Sequence, residues 1–229
     1  MALLDHPRTS PGHSHSIISP LVQNIRLWDD LSPKLESSFP FQKMGLLEHF
    51  DVKQNLLDFG CGHGRVISFL RTHGFEHVTG CDRSPRMCQF AELANPSNRI
   101  IRIESSDLSV LGQIFDGILL VGVLSSVIPY YERALLVKSL SRCITKGGKV
   151  IIGDFGCSSE APYPQRYQSA TIEPRTFTTE DGLLIHHFTA LELTGLFARH
   201  FHIVEQRTFT VSTVHKRRIP GHVLVAQRS

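Results

Sequence analysis

A glycine-rich stretch that begins with an acid carries the clearest chemical signal in the sequence. It reads Asp58-Phe59-Gly60-Cys61-Gly62-His63-Gly64, and it follows a short apolar run and precedes a helical pattern. Three glycines at alternate positions let the backbone turn sharply and lie against a ligand. The start of the following helix presents free N–H groups to a polar ligand group. The acid disfavours a pyrophosphate and favours a ligand with a positive group, such as an ammonium. A purely structural tight turn is the alternative.

Two further acids follow the next two apolar runs of the chain. Asp82 ends the second run, where an acid is placed to bind both hydroxyls of a ribose. Asp107 follows the third run, where it is placed to accept a hydrogen bond from an adenine amino group. Each acid alone is more often a helix cap or a turn residue. Three acids after three successive strands favour a nucleoside site, because ligands of open α/β sheets bind at the carboxyl edge of the strands.

The cysteines and histidines indicate no metal site. The five cysteines are an odd number without a C-x-x-C pair, which is typical of a reducing compartment. The thirteen histidines are scattered along the chain, and no pair of them has a third ligand nearby in sequence. We therefore expect neither disulfides nor a bound metal.

Charge and hydropathy exclude other classes of protein. The chain has 229 residues, 41% of them hydrophobic, and a formal net charge of +3, which is too mild to indicate nucleic-acid binding. The longest apolar run, Ile118–Val127, is too short to span a bilayer, and the N-terminus lacks the apolar core of a signal peptide. We expect a cytoplasmic monomer or homodimer that binds neither nucleic acid nor membrane.

The elements that must position the acids alternate regularly. Apolar runs predict strands over residues 55–59, 77–81, 99–104, 115–121 and 149–153. Helical patterns lie between them, and Ser84-Pro85 provides an N-cap and a first-turn proline for one helix. Another helix is predicted over Tyr131–Ile144, closed by Gly147-Gly148. This order predicts a parallel sheet with helices on both faces.

The two ends of the chain do not follow this alternation of strands and helices. Residues 1–20 predict a flexible N-terminal arm, and residues 21–229 a single domain. Within that domain we expect an N-terminal helical cap over 21–53, a cofactor-binding half over 54–155 and a substrate-side half over 156–229. In the last part, 157–187 is a loop-rich lid, Thr189 opens a helix with a capping box, and two strands pair antiparallel near the C-terminus.

Five segments together resemble the ordered motifs of class I S-adenosylmethionine-dependent methyltransferases. They are Leu57–Arg65 (LDFGCGHGR), Gly80–Ser84 (GCDRS), Ser106–Leu108 (SDL), Phe115–Leu119 (FDGIL) and Lys146–Val150 (KGGKV). The resemblance covers roughly residues 54 to 155. It implies an α/β, Rossmann-like, doubly wound sheet of seven strands whose last strand is antiparallel. It also implies S-adenosylmethionine as the cofactor.

The resemblance further implies roles for particular residues. The methionine part of the cofactor would contact Asp58 and the turn that contains Gly60, Cys61, Gly62 and Gly64. The ribose would contact Asp82, with Arg83 nearby, and the adenine would contact Asp107 and Leu108. Val121 would lie under the sulfonium arm. Trp28 resembles an aromatic residue that helps to close the site in many small-molecule members, and a role as a core anchor is the alternative.

The reaction asks little of the protein, because the methyl group of a sulfonium is already activated and positioning supplies much of the rate. A general base helps when the acceptor is a hydroxyl or a protonated amine. No base is evident from the sequence. His186, His187 and Tyr130 are candidates, with packing or surface roles as the alternative.

The segment after the fourth strand bears on the methyl acceptor. Residues 121–129 lack the Asp/Asn-Pro-Pro-aromatic motif of enzymes that methylate base amino groups, and they lack the cysteine of cytosine-C5 enzymes. The glutamate pair of arginine methyltransferases and the acidic cluster of catechol-type enzymes are also missing. We therefore expect methyl transfer to O, N or S of a small-molecule metabolite. The alternatives are a non-catalytic methyltransferase-like binding module and a nicotinamide-dependent oxidoreductase, although Arg65 stands where the latter needs a glycine.

Overall fold

The computed structural model describes residues 20–31, 39–170, 172–213 and 216–229. Within them the strands are β1 (Leu56–Phe59), β2 (Val78–Asp82), β3 (Ile100–Arg102), β4 (Phe115–Val121), β5 (Ile144–Phe155), β6 (Thr176–Thr178), β7 (Leu184–His186), β8 (His202–Ser212) and β9 (Arg218–Gln227). The α-helices are α1 (Pro20–Leu31), α2 (Leu46–His49), α3 (Arg65–Thr72), α4 (Pro85–Ala94), α5 (Tyr130–Leu140), α6 (Tyr163–Gln168) and α7 (Ala190–Phe197).

Seven of these strands form one sheet in the order β3-β2-β1-β4-β5-β9-β8. Strands β1 to β5 run parallel, whereas β9 is antiparallel to both β5 and β8. Helices α3 and α4 pack on one face, and α5 and α7 pack on the other. The predicted fold, a doubly wound seven-stranded sheet with an antiparallel last strand, is confirmed.

The central strand β4 explains why the sheet is covered on both sides. Its residues Ile118, Leu119 and Leu120 are all fully buried, so their side chains fill the cores on opposite faces. A strand that is apolar on both faces is stable only between two layers of helices. The apolar pattern of β4 therefore explains why helices cover both faces of the sheet.

Local capping signals were predicted correctly. The Ser84 hydroxyl accepts a hydrogen bond from the Met87 N–H at the start of α4. Thr189 and Glu192 form the expected capping box at the start of α7. Such caps satisfy N–H groups that the first helical turn leaves unpaired.

The helix predicted over Tyr131–Ile144 is corrected by the structure. Helix α5 ends at Leu140, and Ile144 already pairs with Phe115 in the sheet. The two glycines predicted to close the helix, Gly147 and Gly148, lie inside β5 instead. The apolar residues after α5 pair with β4 of the sheet, where the Cys143 carbonyl accepts a hydrogen bond from the Phe115 N–H.

The terminal segments are described in part. Of the arm predicted over residues 1–20, only Pro20 lies within the described residues, where it begins α1. The predicted boundaries at 53 and 155 stay predictions. The loop-rich 157–187 segment contains α6 and a two-stranded sheet of β6 and β7, which were not predicted. In the part of the chain that is described, no helix combines the length and apolarity that crossing a membrane requires.

Candidate active site

A cavity of about 260 Å³ opens at the carboxyl edge of the sheet. The parallel register sets Phe59 beside both Cys81 and Leu120, so the residues that follow β1, β2 and β4 meet there. Eight of the residues predicted to bind the cofactor line this cavity: Trp28, Asp58, Gly60, Cys61, Gly62, Asp82, Arg83 and Val121.

The glycine turn after β1 brings the backbone to the cavity. Gly60 has φ = +70°, and a Cβ atom there would lie 2.6 Å from the Val123 side chain. Gly62 has φ = +52°, but a Cβ atom there would meet nothing within 4 Å. Gly60 is thus required by packing, whereas Gly62 leaves open space beside the backbone. Gly64 does not line the cavity; it is the N-cap of α3 and packs against α4.

Asp58 is buried without enough partners for its charge. Its side chain is 1% exposed, and its Oδ2 atom accepts no hydrogen bond from the described residues. Burial, assisted by the nearby charge of Asp82, raises the pKa of Asp58 to about 7. An unpartnered carboxylate oxygen at a cavity wall calls for a cationic or hydrogen-donating ligand group. This geometry fits the ammonium group of S-adenosylmethionine.

Asp82 joins the glycine turn to the end of β2. Its two carboxylate oxygens accept hydrogen bonds from the N–H groups of Gly62 and Ser84, both at 2.9 Å. A carboxylate has about four acceptor positions, so these bonds leave acceptor capacity for a ribose hydroxyl. Arg83 reaches in the other direction and donates to the Glu104 carbonyl at 3.0 Å.

Asp107 and Leu108 are not brought to the cavity. The Asp107 carboxylate caps a 3-10 helix by accepting the Ser109 N–H at 3.0 Å. Leu108 is fully buried in the core, and its N–H donates to the Ser139 hydroxyl at 2.8 Å. Ile103 and Ser106 line the cavity at this end. The adenine contacts of Asp107 and Leu108 therefore stay a prediction.

Helix α1 covers the cavity and presents Trp28 to it. The buried Asn24 amide donates to the carbonyls of Leu184 and Ser126 at 2.6 and 3.2 Å, and its oxygen accepts the Leu184 N–H at 3.0 Å. These three bonds tie α1 to β7 and to the turn after β4. Trp28 is half-buried and lies on the cavity wall, which suits the predicted closing role.

The comparisons with known proteins agree with this geometry. A family model described as "Methyltransferase domain" matches residues 57–152. A solved S-adenosylmethionine-dependent methyltransferase from Methanosarcina mazei is 26% identical, with a TM-score of 0.74, and the match covers 84% of this chain and 99% of that chain. Residues 57–152 therefore form a methyltransferase domain, and over most of its length the chain is similar to a solved S-adenosylmethionine-dependent methyltransferase. The chain is an enzyme whose cofactor is S-adenosylmethionine, as predicted.

Two more distant structures share the fold of this methyltransferase. A methyltransferase from Anabaena variabilis is 17% identical, with a TM-score of 0.65 and a match that covers 93% of this chain and 96% of that one. A Burkholderia thailandensis 1,6-didemethyltoxoflavin-N1-methyltransferase, solved with 1,6-didemethyltoxoflavin and S-adenosylhomocysteine, is 20% identical. Its TM-score is 0.59, and the match covers 99% of this chain and 93% of that one. No curated protein matches the chain.

The three candidates for a base in this methyltransferase fall in different places. His187 is buried and lines the cavity. His186 does not line it, because its ring nitrogens contact the Thr176 hydroxyl and the Glu192 carboxylate, both at 3.0 Å. Tyr130 is 44% exposed at the start of α5 and also lies off the cavity wall. Of these three candidates, His187 alone lines the cavity, and the catalytic roles of all three stay predictions.

The far end of the cavity is rich in aromatic side chains. Besides His187, this end is lined by Phe39, Phe155, Tyr163, Arg166, Phe177, Asp181, Leu183, Ile185 and Arg217. Most of them belong to the 157–187 segment, whose sequence carries no catalytic motif. Among the described residues, no group of three or more side chains is arranged to hold a metal ion.

A buried ion pair anchors the 157–187 segment to the sheet side of the methyltransferase. Arg133 of α5 is 1% exposed, and its guanidinium contacts the Glu173 carboxylate at 2.7 Å. The same guanidinium donates to the Val127 carbonyl at 2.8 Å, in the turn after β4. A buried pair with this geometry fixes the position of both segments, because neither charge tolerates the loss of its partner.

Proposed function

We propose that this methyltransferase moves the methyl group to O, N or S of a small-molecule metabolite by direct in-line displacement. One observation supports this most strongly: the cofactor-side acids and the aromatic side chains of the 157–187 segment line one continuous cavity. The cavity lies under α1, and both the pair Asp58 and Asp82 and the rings of Phe155 and His187 line it. A small acceptor enclosed there would meet the cofactor directly.

The cofactor is held, in this proposal, by the residues that end β1 and β2. Asp58 pairs with the ammonium group, and Gly60 and Gly62 let the backbone approach the methionine part. Asp82 accepts from the ribose hydroxyls while it continues to hold the turn. When bound, S-adenosylmethionine supplies a methyl group that forms a bond to a lone pair of the acceptor while the carbon–sulfur bonding pair returns to sulfur.

The remaining residues position the acceptor and exclude water. Val121, at the end of β4, supports the space between the cofactor and acceptor sides. Asn24 keeps α1 over the opening through its contacts with Leu184 and Ser126. Orientation of this kind supplies much of the rate in a displacement whose methyl group is already activated. The Burkholderia enzyme is named for a small heterocyclic substrate, so the shared fold accommodates acceptors of this size.

Transfer of labelled methyl from S-adenosylmethionine tests the proposal. The purified chain is incubated with a cell extract that has been separated into small-molecule and macromolecular fractions. We expect label in the small-molecule fraction, and we expect Asp82→Ala to abolish it. Label found only in protein or nucleic acid contradicts a small-molecule acceptor. Absence of transfer to every fraction, despite cofactor binding, favours a non-catalytic binding module.

A further inference from the structure

His187 and Tyr167 form a hydrogen-bonded pair on the acceptor side of the cavity. The Tyr167 hydroxyl lies 2.7 Å from His187 Nδ1. The same hydroxyl oxygen accepts the backbone N–H of Ser158 at 3.1 Å. Cys157 continues this chain of contacts, because its thiol donates to the His187 carbonyl. The ring of His187 is therefore held from the side that faces away from the cavity.

This network assigns the position of the proton on His187. The Tyr167 oxygen already accepts one N–H, and its own proton needs an acceptor, for which Nδ1 is within reach. Nδ1 is then unprotonated, and the ring proton resides on Nε2. Burial lowers the pKa of His187 to about 3, so the ring stays neutral at physiological pH. The hydrogen bond of the His187 ring among the described residues is the one at Nδ1, and the ring lines the cavity.

The surroundings of His187 are flat and aromatic. The ring centroid of Phe177 lies 4.9 Å from that of His187, Tyr163 lies at 5.2 Å and Phe155 at 6.2 Å. All four rings line the cavity. Such walls favour a planar aromatic ligand, because offset and edge contacts between rings add to the burial of their surface.

We propose that the methyl acceptor is a planar aromatic or heteroaromatic molecule with a lone pair that accepts a hydrogen bond from His187 Nε2–H. Tyr167 acts as a positioning residue in this proposal, because it holds His187 in the donating tautomer. The inference rests on the proposed small-molecule activity and names the class of its substrate. His187 in this state donates a proton to a hydrogen bond and removes none, so the acceptor atom arrives with its lone pair already available.

Nitrogen NMR of histidine-labelled protein, saturated with S-adenosylhomocysteine, tests the tautomer without any acceptor. The His187 signals are assigned with His187→Asn. We expect a non-protonated shift for Nδ1 and a protonated shift for Nε2. Tyr167→Phe removes the hydroxyl and should populate both tautomers, whereas Tyr163→Phe, a neighbouring ring without a hydrogen bond to His187, should leave the signals unchanged. A proton on Nδ1 in the wild type, or an unchanged tautomer in Tyr167→Phe, overturns the proposal.

Three neutral probes then separate planarity from hydrogen bonding. Quinoline is planar and carries an accepting nitrogen, naphthalene is planar without one, and cyclohexanone accepts a hydrogen bond but is not planar. We expect quinoline to shift the Nε2–H signal and to bind about tenfold more tightly than naphthalene, the effect of one hydrogen bond of about 1.4 kcal/mol. It should also bind more tightly than cyclohexanone, which cannot make the ring contacts. Equal shifts from all three, or a shift from none, overturn the proposed acceptor class.

Calorimetry with S-adenosylhomocysteine distinguishes a failure of the proposed function from a failure of the proposed acceptor class. If this compound does not bind, the proposed function itself fails. If it binds and the His187 tautomer or the probe ranking differs from expectation, the cofactor site stands and only the acceptor class is wrong.

Discussion

Asp58 should make cofactor binding depend on pH close to neutrality. Burial raises the pKa of its carboxyl group to about 7, and the unpartnered oxygen lies on the wall of the cavity. Below this pH the carboxyl is mostly neutral and cannot pair with an ammonium group. As the pH rises through the pKa, the carboxylate forms and attracts the ammonium of S-adenosylhomocysteine. Affinity should therefore increase with pH.

The size of this effect follows from the pKa. For a group that titrates near 7, the ionised fraction grows from about a tenth at pH 6 to about nine tenths at pH 8. If only the ionised form of Asp58 binds well, the dissociation constant of S-adenosylhomocysteine should fall about tenfold over this interval. That change corresponds to about 1.4 kcal/mol.

The matched variant is Asp58→Asn, which keeps the shape of the side chain and cannot ionise. Its affinity should be the same at pH 6 and pH 8, because it has no carboxyl group to titrate. It should bind more weakly than the wild type at both pH values, and the difference should be about tenfold larger at pH 8 than at pH 6. Calorimetric titration at both pH values gives the four dissociation constants. A wild-type affinity that does not change with pH, or a variant with the full wild-type slope, refutes the reasoning.

The same carboxyl affects stability in the absence of ligand. Its folded-state pKa lies above the ordinary value of 3.8, so its contribution to stability is complete below that value and is lost as the pH rises toward 7. The variant should therefore gain roughly 3 kcal/mol relative to the wild type between pH 5 and pH 8. Urea unfolding of the two proteins at both pH values measures this difference. A gain of zero shows that Asp58 is not neutral in the free protein.

Four further substitutions test the site and its support. Asp82→Ala should weaken S-adenosylhomocysteine binding roughly 100-fold, because two hydrogen bonds to a charged group are lost. An unchanged affinity in calorimetry contradicts the assignment of Asp82 to the ribose. Gly60→Ala should lower the free energy of unfolding by about 2 kcal/mol or more, because the new Cβ atom meets the Val123 side chain. Gly62→Ala should lower it by only about 1 kcal/mol, because open space surrounds that position. Urea unfolding measures both losses, and equal losses contradict the packing argument. Arg133→Ala removes the cation that pairs with the Glu173 carboxylate and leaves it the Tyr130 N–H and the Thr176 hydroxyl as donors, so we expect a cost of about 3 kcal/mol. A loss below about 1 kcal/mol shows that the pair does not anchor the 157–187 segment.

The cofactor side of the site was predictable because its residues belong to local motifs. Asp58 is the next-to-last residue of β1 and Asp82 is the last residue of β2, and parallel strands bring their carboxyl ends to one edge of the sheet. Strand order and glycine spacing thus carry the information within short windows of sequence. Asp107 shows a limit of this reasoning: it caps a 3-10 helix and does not line the cavity, so its contact with the adenine stays a prediction.

The acceptor side was not predictable, because its residues meet only through distant contacts. Three of these rings come from separate elements: Tyr163 from α6, Phe177 from β6 and His187 from the residue after β7. They contact one another in the folded chain, but their spacing in the sequence does not predict those contacts. The neighbouring pair His186 and His187 illustrates the difficulty. The two histidines are adjacent in sequence, but the His186 ring contacts the Glu192 carboxylate whereas the His187 ring lines the cavity.

The end of α5 is a second case in which long-range pairing decided the outcome. The apolar pattern continues past Leu140, and a glycine pair follows it, which is typical of a helix with a C-terminal stop. The structure ends the helix early because Ile144 pairs with Phe115 at the start of β4. A local pattern cannot distinguish the last turn of a helix from the first residues of a buried strand.

A crystal structure of the chain with S-adenosylhomocysteine tests the central claim most directly. We predict that the ammonium group lies against Asp58, that the ribose hydroxyls contact Asp82, and that the sulfur faces the part of the cavity lined by Phe155 and His187. S-adenosylhomocysteine bound elsewhere, or bound with its sulfur turned away from those aromatic side chains, would contradict a cavity shared by the cofactor and a small-molecule acceptor.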